Sequence, residues 1–129
     1  MEQAADARKI LIVDDNRTMR KALELKLSSY GYRIVTAGDG KEGLEIAARE
    51  LPDLIISDVD MPVMDGGEMV SKLRASGRTS DIPVIFLTGL ITKDENATES
   101  TSQTIYLSKK SSIPELLNAV RGRLAMAAK

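Results

Sequence analysis

The chain contains no cysteine and no histidine. Those two gaps exclude disulfides, thiolate metal sites, thiol nucleophiles, imidazole bases, histidine metal ligands and a phosphohistidine of its own. Any chemistry has to run on carboxylates, hydroxyls and lysine. Aromatics are scarce as well: three tyrosines and one phenylalanine leave little for the base-stacking platforms of single-strand nucleic-acid binders. Basic charge is not in excess, since 18 basic and 19 acidic residues give a net charge of -1. Neither nucleic acid nor an anionic membrane surface is an expected partner. No apolar run approaches the roughly 18 residues needed to span a bilayer. The opening MEQAADARK lacks the apolar stretch of a secretory signal, so a cytoplasmic protein is expected.

What is present is enough for one globular domain: 129 residues, 43% hydrophobic and 29% charged, apolar enough to bury a core without staples. Short β-branched runs alternate with segments of helical spacing, the pattern of a parallel sheet wound with crossover helices. The strands are expected at Ile10 to Val13, Arg33 to Ala37, Leu54 to Ser57, Val84 to Thr88 and Ile105 to Leu107. Most read as uninterrupted apolar runs, as strands covered on both faces do. Asp39 with Glu42, Asp65 with Glu68, and Ser112 with Glu115 each fit a capping box that opens a helix, and Asn16 can cap the first one. Met19, Leu23, Leu27 and Tyr30, and later Leu117, Val120 and Leu124, form helical stripes expected to face the core.

One interval breaks the rhythm. Between strands four and five, ITKDENATESTSQT (Ile91 to Thr104) has Ala97 as its only apolar residue after Ile91. A helix there would be polar all round, so an irregular or shortened fourth helix is expected. Met1 to Ala7 and Ala125 to Lys129 are expected to be loose ends. No internal repeat, linker or second domain is visible.

In a parallel α/β sheet, the loops at the carboxyl ends of the strands form the crevice where ligands bind. Strand one ends in Asp14 and Asp15, strand three in Asp58, strand four in Thr88, and Lys109 directly follows strand five. Taken singly, each has an ordinary reading: an Asp pair as a turn or helix cap, a threonine as a β-former, a lysine as a surface charge. Together they supply the parts of one phosphoryl-transfer site. Two carboxylates about 5 Å apart at an effective dielectric near 20 repel by roughly 3 kcal/mol, and three make three such pairs. A hard divalent cation relieves that repulsion. Oxygen-only ligation beside phosphate favours magnesium, with manganese able to substitute. Asp58 is the best nucleophile by position, with Thr88 and Lys109 offsetting charge on the phosphoryl oxygens.

ILIVDD, DLIISDVDMPVMDG, VIFLTG and YLSKK, in that order and at similar spacing, make the chain resemble the receiver domain of two-component response regulators. The resemblance covers about Lys9 to Leu124 of a single domain spanning 1–129. It implies a flavodoxin-like fold with strand order 2-1-3-4-5, an order known for such receivers rather than worked out from these residues. It further implies that Asp58 is the phosphoacceptor, Asp15 a direct magnesium ligand, Asp14 a ligand through water, and the Asp60 carbonyl another ligand. The Asp60 side chain stands where this family modulates dephosphorylation. Thr88 and Lys109 resemble the phosphoryl-binding pair, Tyr106 the aromatic that reports movement of Thr88, and Gly89 the small residue that leaves room for the donor. Tyr106 also reads as a half-buried strand aromatic with its hydroxyl in water.

The chain departs from the family twice. Lys110 replaces a proline often joined by a cis bond, and a non-proline cis bond costs about 3 kcal/mol more, so the Lys109 loop is expected to be trans or strained. The polar Ile91 to Thr104 interval replaces the usual fourth helix. The implied function is that of a stand-alone or excised signalling domain, not an enzyme beyond its own phosphorylation and dephosphorylation. A sensor histidine kinase or phosphotransfer protein supplies the phosphoryl group and a downstream protein target reads the switch, with the chain a monomer or weak dimer. Within the family, the alternative is a degenerate receiver that binds partners without phosphorylation. Outside it, Asp58-Val59-Asp60 fits the D-x-D of haloacid-dehalogenase-like phosphatases, although that motif is expected on a first strand in a larger chain. A flavin carrier is disfavoured because DDNRTMR puts carboxylates where a flavin phosphate needs amides.

Overall fold

The structure is a computed structural model that describes residues 8–59, 61, 63–88 and 104–127. Five parallel strands, β1 (Lys9–Val13), β2 (Arg33–Ala37), β3 (Leu54–Ser57), β4 (Val84–Thr88) and β5 (Thr104–Ser108), form one sheet in the order β2-β1-β3-β4-β5. Four helices occur among the described residues: α1 (Arg17–Ser28), α2 (Gly40–Glu50), α3 (Gly66–Ala75) and α4 (Ile113–Ala127). None is long and apolar enough to cross a membrane.

The strand alternation of side chains sorts the core into two layers. Ile10, Ile12, Leu54, Ile56, Ile85, Leu87, Ile105 and Leu107 face Leu23 and Leu27 of α1 and Leu116, Leu117, Val120 and Leu124 of α4. On the opposite face, Leu11, Val13, Ile55, Val84 and Phe86 meet Ile46 and Ala47 of α2 and Met69 and Leu73 of α3. The sheet is thus covered on both sides, the arrangement its β-branched strands require.

Helix starts follow the expected caps. The Asn16 side chain accepts from the Met19 amide at 3.0 Å, Asp39 from Glu42 at 2.8 Å and Asp65 from Glu68 at 2.8 Å. Ser112 and Glu115 exchange bonds in both directions, at 3.3 and 2.7 Å. Glu42 reaches back to the Gly38 amide at 2.7 Å, one residue before the cap itself.

Three expectations are corrected. Tyr30 is 52% exposed rather than core; α1 stops at Ser28, so the stripe loses its helical phase before reaching it. Ala125 to Ala127 continue α4 instead of fraying, and only the two residues beyond fall outside the described range. β1 and β5 are longer than expected, with Lys9, Thr104 and Ser108 completing the parallel ladders to Arg33, Val84 and Thr88. Apart from Thr104, the Ile91 to Thr104 interval lies outside the described residues, as does the opening segment 1–7.

Candidate functional site

Parallel register turns residues distant in sequence into neighbours at the carboxyl edge of the sheet. Val13 pairs with Ala37 on one side and Ser57 on the other, and Thr88 pairs with Ser108. The ladder then continues one residue past the strands. The Asp14 amide donates to the Ala37 carbonyl at 3.1 Å, the Asp58 amide to Val13 at 2.9 Å, and the Lys109 amide to Thr88 at 2.9 Å. The backbone of each of these charged residues is therefore fixed by the sheet before its side chain does anything.

Carboxylate oxygens of Asp14, Asp15 and Asp58 all lie within 4.8 Å of one another, Asp14 and Asp58 buried and Asp15 exposed. Lys109 Nζ stands 3.2 Å from Asp58 Oδ2 and 3.6 Å from Asp14 Oδ2. Three acceptor-only carboxylates with one open, exposed member suit a hard divalent cation that keeps part of its water. The residues present fit such an ion, and Asp14, Asp15 and Asp58 would hold it.

Burial pushes the Asp14 carboxyl above its usual range, aided by the Asp58 and Asp15 charges and opposed by the Asn16 amide and Lys109. That amide donates to Asp14 Oδ1 at 2.9 Å. For Lys109, burial pulls the other way, but the Asp58 and Asp14 carboxylates outweigh it and the ammonium is held more firmly protonated than usual. A buried carboxylate pair with one ammonium between them is short of positive charge by one, which is the electrostatic condition for binding a cation.

Thr88 is buried at the end of β4. Tyr106 is half-buried with its ring stacked on Phe86, centroids 5.0 Å apart and planes 27° from parallel. Asp60 and Gly89 lie outside the described residues. No cis peptide bond occurs among the described residues, so the Lys109–Lys110 bond is trans, and Lys109 nonetheless reaches Asp58.

Supporting residues invisible to the motif reading complete the site. Ser57 Oγ donates to the Asp58 carbonyl at 2.7 Å, and Arg20 Nη1 to the Asp14 carbonyl at 2.7 Å. Gly66 brings the start of α3 against the Asp58 main chain, its amide donating to the Val59 carbonyl at 2.8 Å. The Asp65-Gly66-Gly67 run was the available signal for that close approach; no pattern signals Arg20, whose bond spans one loop and one helical turn.

Fold and site together define a doubly wound α/β domain with an acidic site and a partner lysine at the strand ends. The response regulator receiver domain model matches residues 10–121, and the chain belongs to that family. Among solved structures it is similar to the receiver domain of the sensor histidine kinase PA1611 from Pseudomonas aeruginosa PAO1, which holds a magnesium ion coordinated in its active-site cleft. The two share 30% identity over 92% of this chain and 98% of that one, with a TM-score of 0.80. A response regulator from Chloroflexus aurantiacus described by its structure as putative gives 32% identity, 93% and 99% coverage and a TM-score of 0.82. Among curated proteins, the response regulator MprA of Mycobacterium leprae is 39% identical over 90% of this chain. The chain spans half the length of that relative, and 31% of the probable transcriptional regulator ycf27 of Guillardia theta, to which it is 46% identical over 82 residues.

Proposed function

We propose that residues 9–124 act as one phosphoacceptor domain, in which Asp58 takes a phosphoryl group from the phosphohistidine of a sensor kinase or phosphotransfer protein. The observation that carries this reading is the Lys109 ammonium 3.2 Å from Asp58 Oδ2 inside a cluster of three carboxylates. An Asp58 carboxylate oxygen attacks phosphorus in line with the donor nitrogen. The P–N bond breaks with its electron pair passing to the donor imidazole, and the product is an acyl phosphate on Asp58. Lys109, released from its ion pair with Asp58, turns its charge to the phosphoryl oxygens, and the Thr88 hydroxyl is the second donor. Asp14 and Asp15, with Asp58 and the Asp60 carbonyl, would hold magnesium, or manganese in its place, which supplies charge neutralisation for the incoming phosphoryl oxygens.

Movement of Thr88 toward the phosphoryl group is then read through Tyr106, which stacks on Phe86 of the same strand as Thr88, and alters affinity for a downstream protein. The proposed setting is the cytoplasm, with the chain a monomer or weak dimer.

The test is intact mass after incubation with magnesium and a small-molecule phosphodonor, for the wild type and Asp58→Asn. A phosphoryl adduct on the wild type alone supports the reading. No adduct on either protein under rapid quench, together with no thermal stabilisation by magnesium, overturns it in favour of a receiver that binds partners without phosphorylation.

A further inference from the structure

Arg17, Arg20, Lys21, Glu24 and Thr36 line a cavity of about 140 Å³ between α1 and the edge strand β2. Helix α1 is the source of the charge, carrying four basic residues against one acidic in a chain whose net charge is -1. Lys21 meets Glu24 at a loose 4.0 Å. Neither Arg17 nor Arg20 has a carboxylate within ion-pair distance among the described residues. Arg20 is half-buried, and its one hydrogen bond, from Nη1 to the Asp14 carbonyl, leaves the rest of a five-donor guanidinium unused. Thr36, half-buried on β2 and in register with Ile12, has no hydrogen-bond partner for its hydroxyl among the described residues.

A guanidinium without a counter-ion, beside a hydroxyl without a protein partner, leaves several donors free to meet a ligand in one place. Three cations and one carboxylate line the cavity, leaving an excess of two positive charges. We infer that this cavity binds a phosphate dianion, either orthophosphate or the phosphoryl end of a small phosphomonoester. Two guanidinium forks and a hydroxyl drawn from two elements match the several acceptor oxygens of a tetrahedral oxyanion better than they match a single carboxylate. Arg20 is anchored in advance through the Asp14 carbonyl, so little of its freedom is lost on binding. The cavity lining contains none of Asp14, Asp15, Asp58 and Lys109, although the Arg20 bond to the Asp14 carbonyl links it to their site, and those carboxylates repel the same ligand when no metal is present.

The test titrates the wild-type 129-residue chain with sodium phosphate, and separately with glycerol 3-phosphate, in chelator-containing buffer at constant ionic strength. Two-dimensional NMR follows the Arg17 and Arg20 side-chain Nε–H signals and the Thr36 amide. Saturable shifts at all three are expected. Arg17→Gln should weaken the apparent affinity by about tenfold or more, as loss of a charge-assisted contact does, Thr36→Val should weaken it less, and Lys72→Gln on α3 should leave it unchanged. Binding of both ligands would assign a general phosphomonoester site, and binding of orthophosphate alone a free-phosphate site. Shifts that never saturate, that persist unchanged in Arg17→Gln, or that centre on Asp58 and Lys109 would overturn the inference.

Discussion

Gly66 is the position where the fold and the site press on each other hardest. A Cβ placed on its backbone would lie 2.5 Å from the Asp58 carbonyl oxygen and 2.6 Å from Cε1 of Phe86. Neither neighbour yields easily. The Asp58 main chain is held by Val13 and Ser57, and Phe86 is buried and stacked on Tyr106. Gly66→Ala therefore forces a backbone shift of overpacking type, about 1–3 kcal/mol. The gain in helix propensity from glycine to alanine is at most about 1 kcal/mol. The net expectation is a loss of roughly 1–2 kcal/mol, or several degrees in Tm for a domain of this size. Gly67→Ala is the matched control, because its Cβ would meet only Asp65 Oδ1 at 3.5 Å, and it should be neutral or stabilising by up to about 1 kcal/mol. Urea and thermal unfolding of both variants measure the difference. Since the clash falls on the Asp58 main chain, phosphorylation by a small donor under native conditions should also slow in Gly66→Ala and not in Gly67→Ala. Equal stability of the two variants would refute the packing argument.

Asp15 is exposed, so Asp15→Asn should change metal-free stability by less than about 0.5 kcal/mol while reducing the stabilisation by magnesium, which for the wild type approaches about 2.7 kcal/mol at a hundredfold excess over Kd. Equal magnesium shifts in thermal melts would remove Asp15 from the ligand set. Val63 holds φ at 69° with a side chain 75% exposed, a left-handed conformation that a β-branched residue adopts at a cost of about 1–2 kcal/mol. Val63→Asn should raise the urea midpoint by the equivalent of roughly 1 kcal/mol, and a lower midpoint would contradict the strain. The Lys9 ammonium, 2.8 Å from Glu50 Oε1, holds the Glu50 carboxyl below its usual range. A carboxyl depressed in the folded state contributes stability above its unfolded pKa and loses it as pH falls through the folded one. Glu50→Gln should thus be less stable at neutral pH and converge with the wild type in acid, and parallel stability curves across that range would exclude the pair.

The strand ends were legible in the sequence because a parallel sheet converts chain order into adjacency by a simple rule. Ile12-Val13-Asp14, Ile56-Ser57-Asp58 and Leu87-Thr88 each end an apolar run, and the register sets those ends side by side. Caps were legible for a similar reason, since Asn16, Asp39, Asp65 and Ser112 act within four residues of chain. What escaped depends on three-dimensional direction rather than order. Tyr30 lies in phase with Leu23 and Leu27, yet the helix ends before it. Arg20 binds the Asp14 carbonyl because of how α1 leaves the loop. Leu51 closes α2 with φ at 46°, and Val63 turns the loop after Asp58, where residue type argues against a left-handed backbone in both cases. In each, the outcome depends on the path the chain takes through space, which no window along the chain reports.

Lys110 illustrates the same division from the other side. Read as a missing proline, it predicts a trans or strained loop and puts the reach of Lys109 in doubt. The Lys109 amide, however, is tied to the Thr88 carbonyl as a continuation of the β4–β5 ladder, and the Lys110 amide donates to Ser108 Oγ at 3.0 Å. A serine at the end of β5 thus pins the turn from within. The proline's contribution is conformational restriction, and a side chain that accepts from the Lys110 amide, with the Ser108 carbonyl accepting from Ser111, restricts the turn by other means. The ammonium reaches Asp58 through a trans bond because the constraint lies in the sheet edge rather than in the turn. The Thr88 carbonyl and the Lys109 amide are tied by that bond, so in the proposed switch a displacement of the Thr88 main chain would act on the lysine as well as on the strand of Tyr106 beside it.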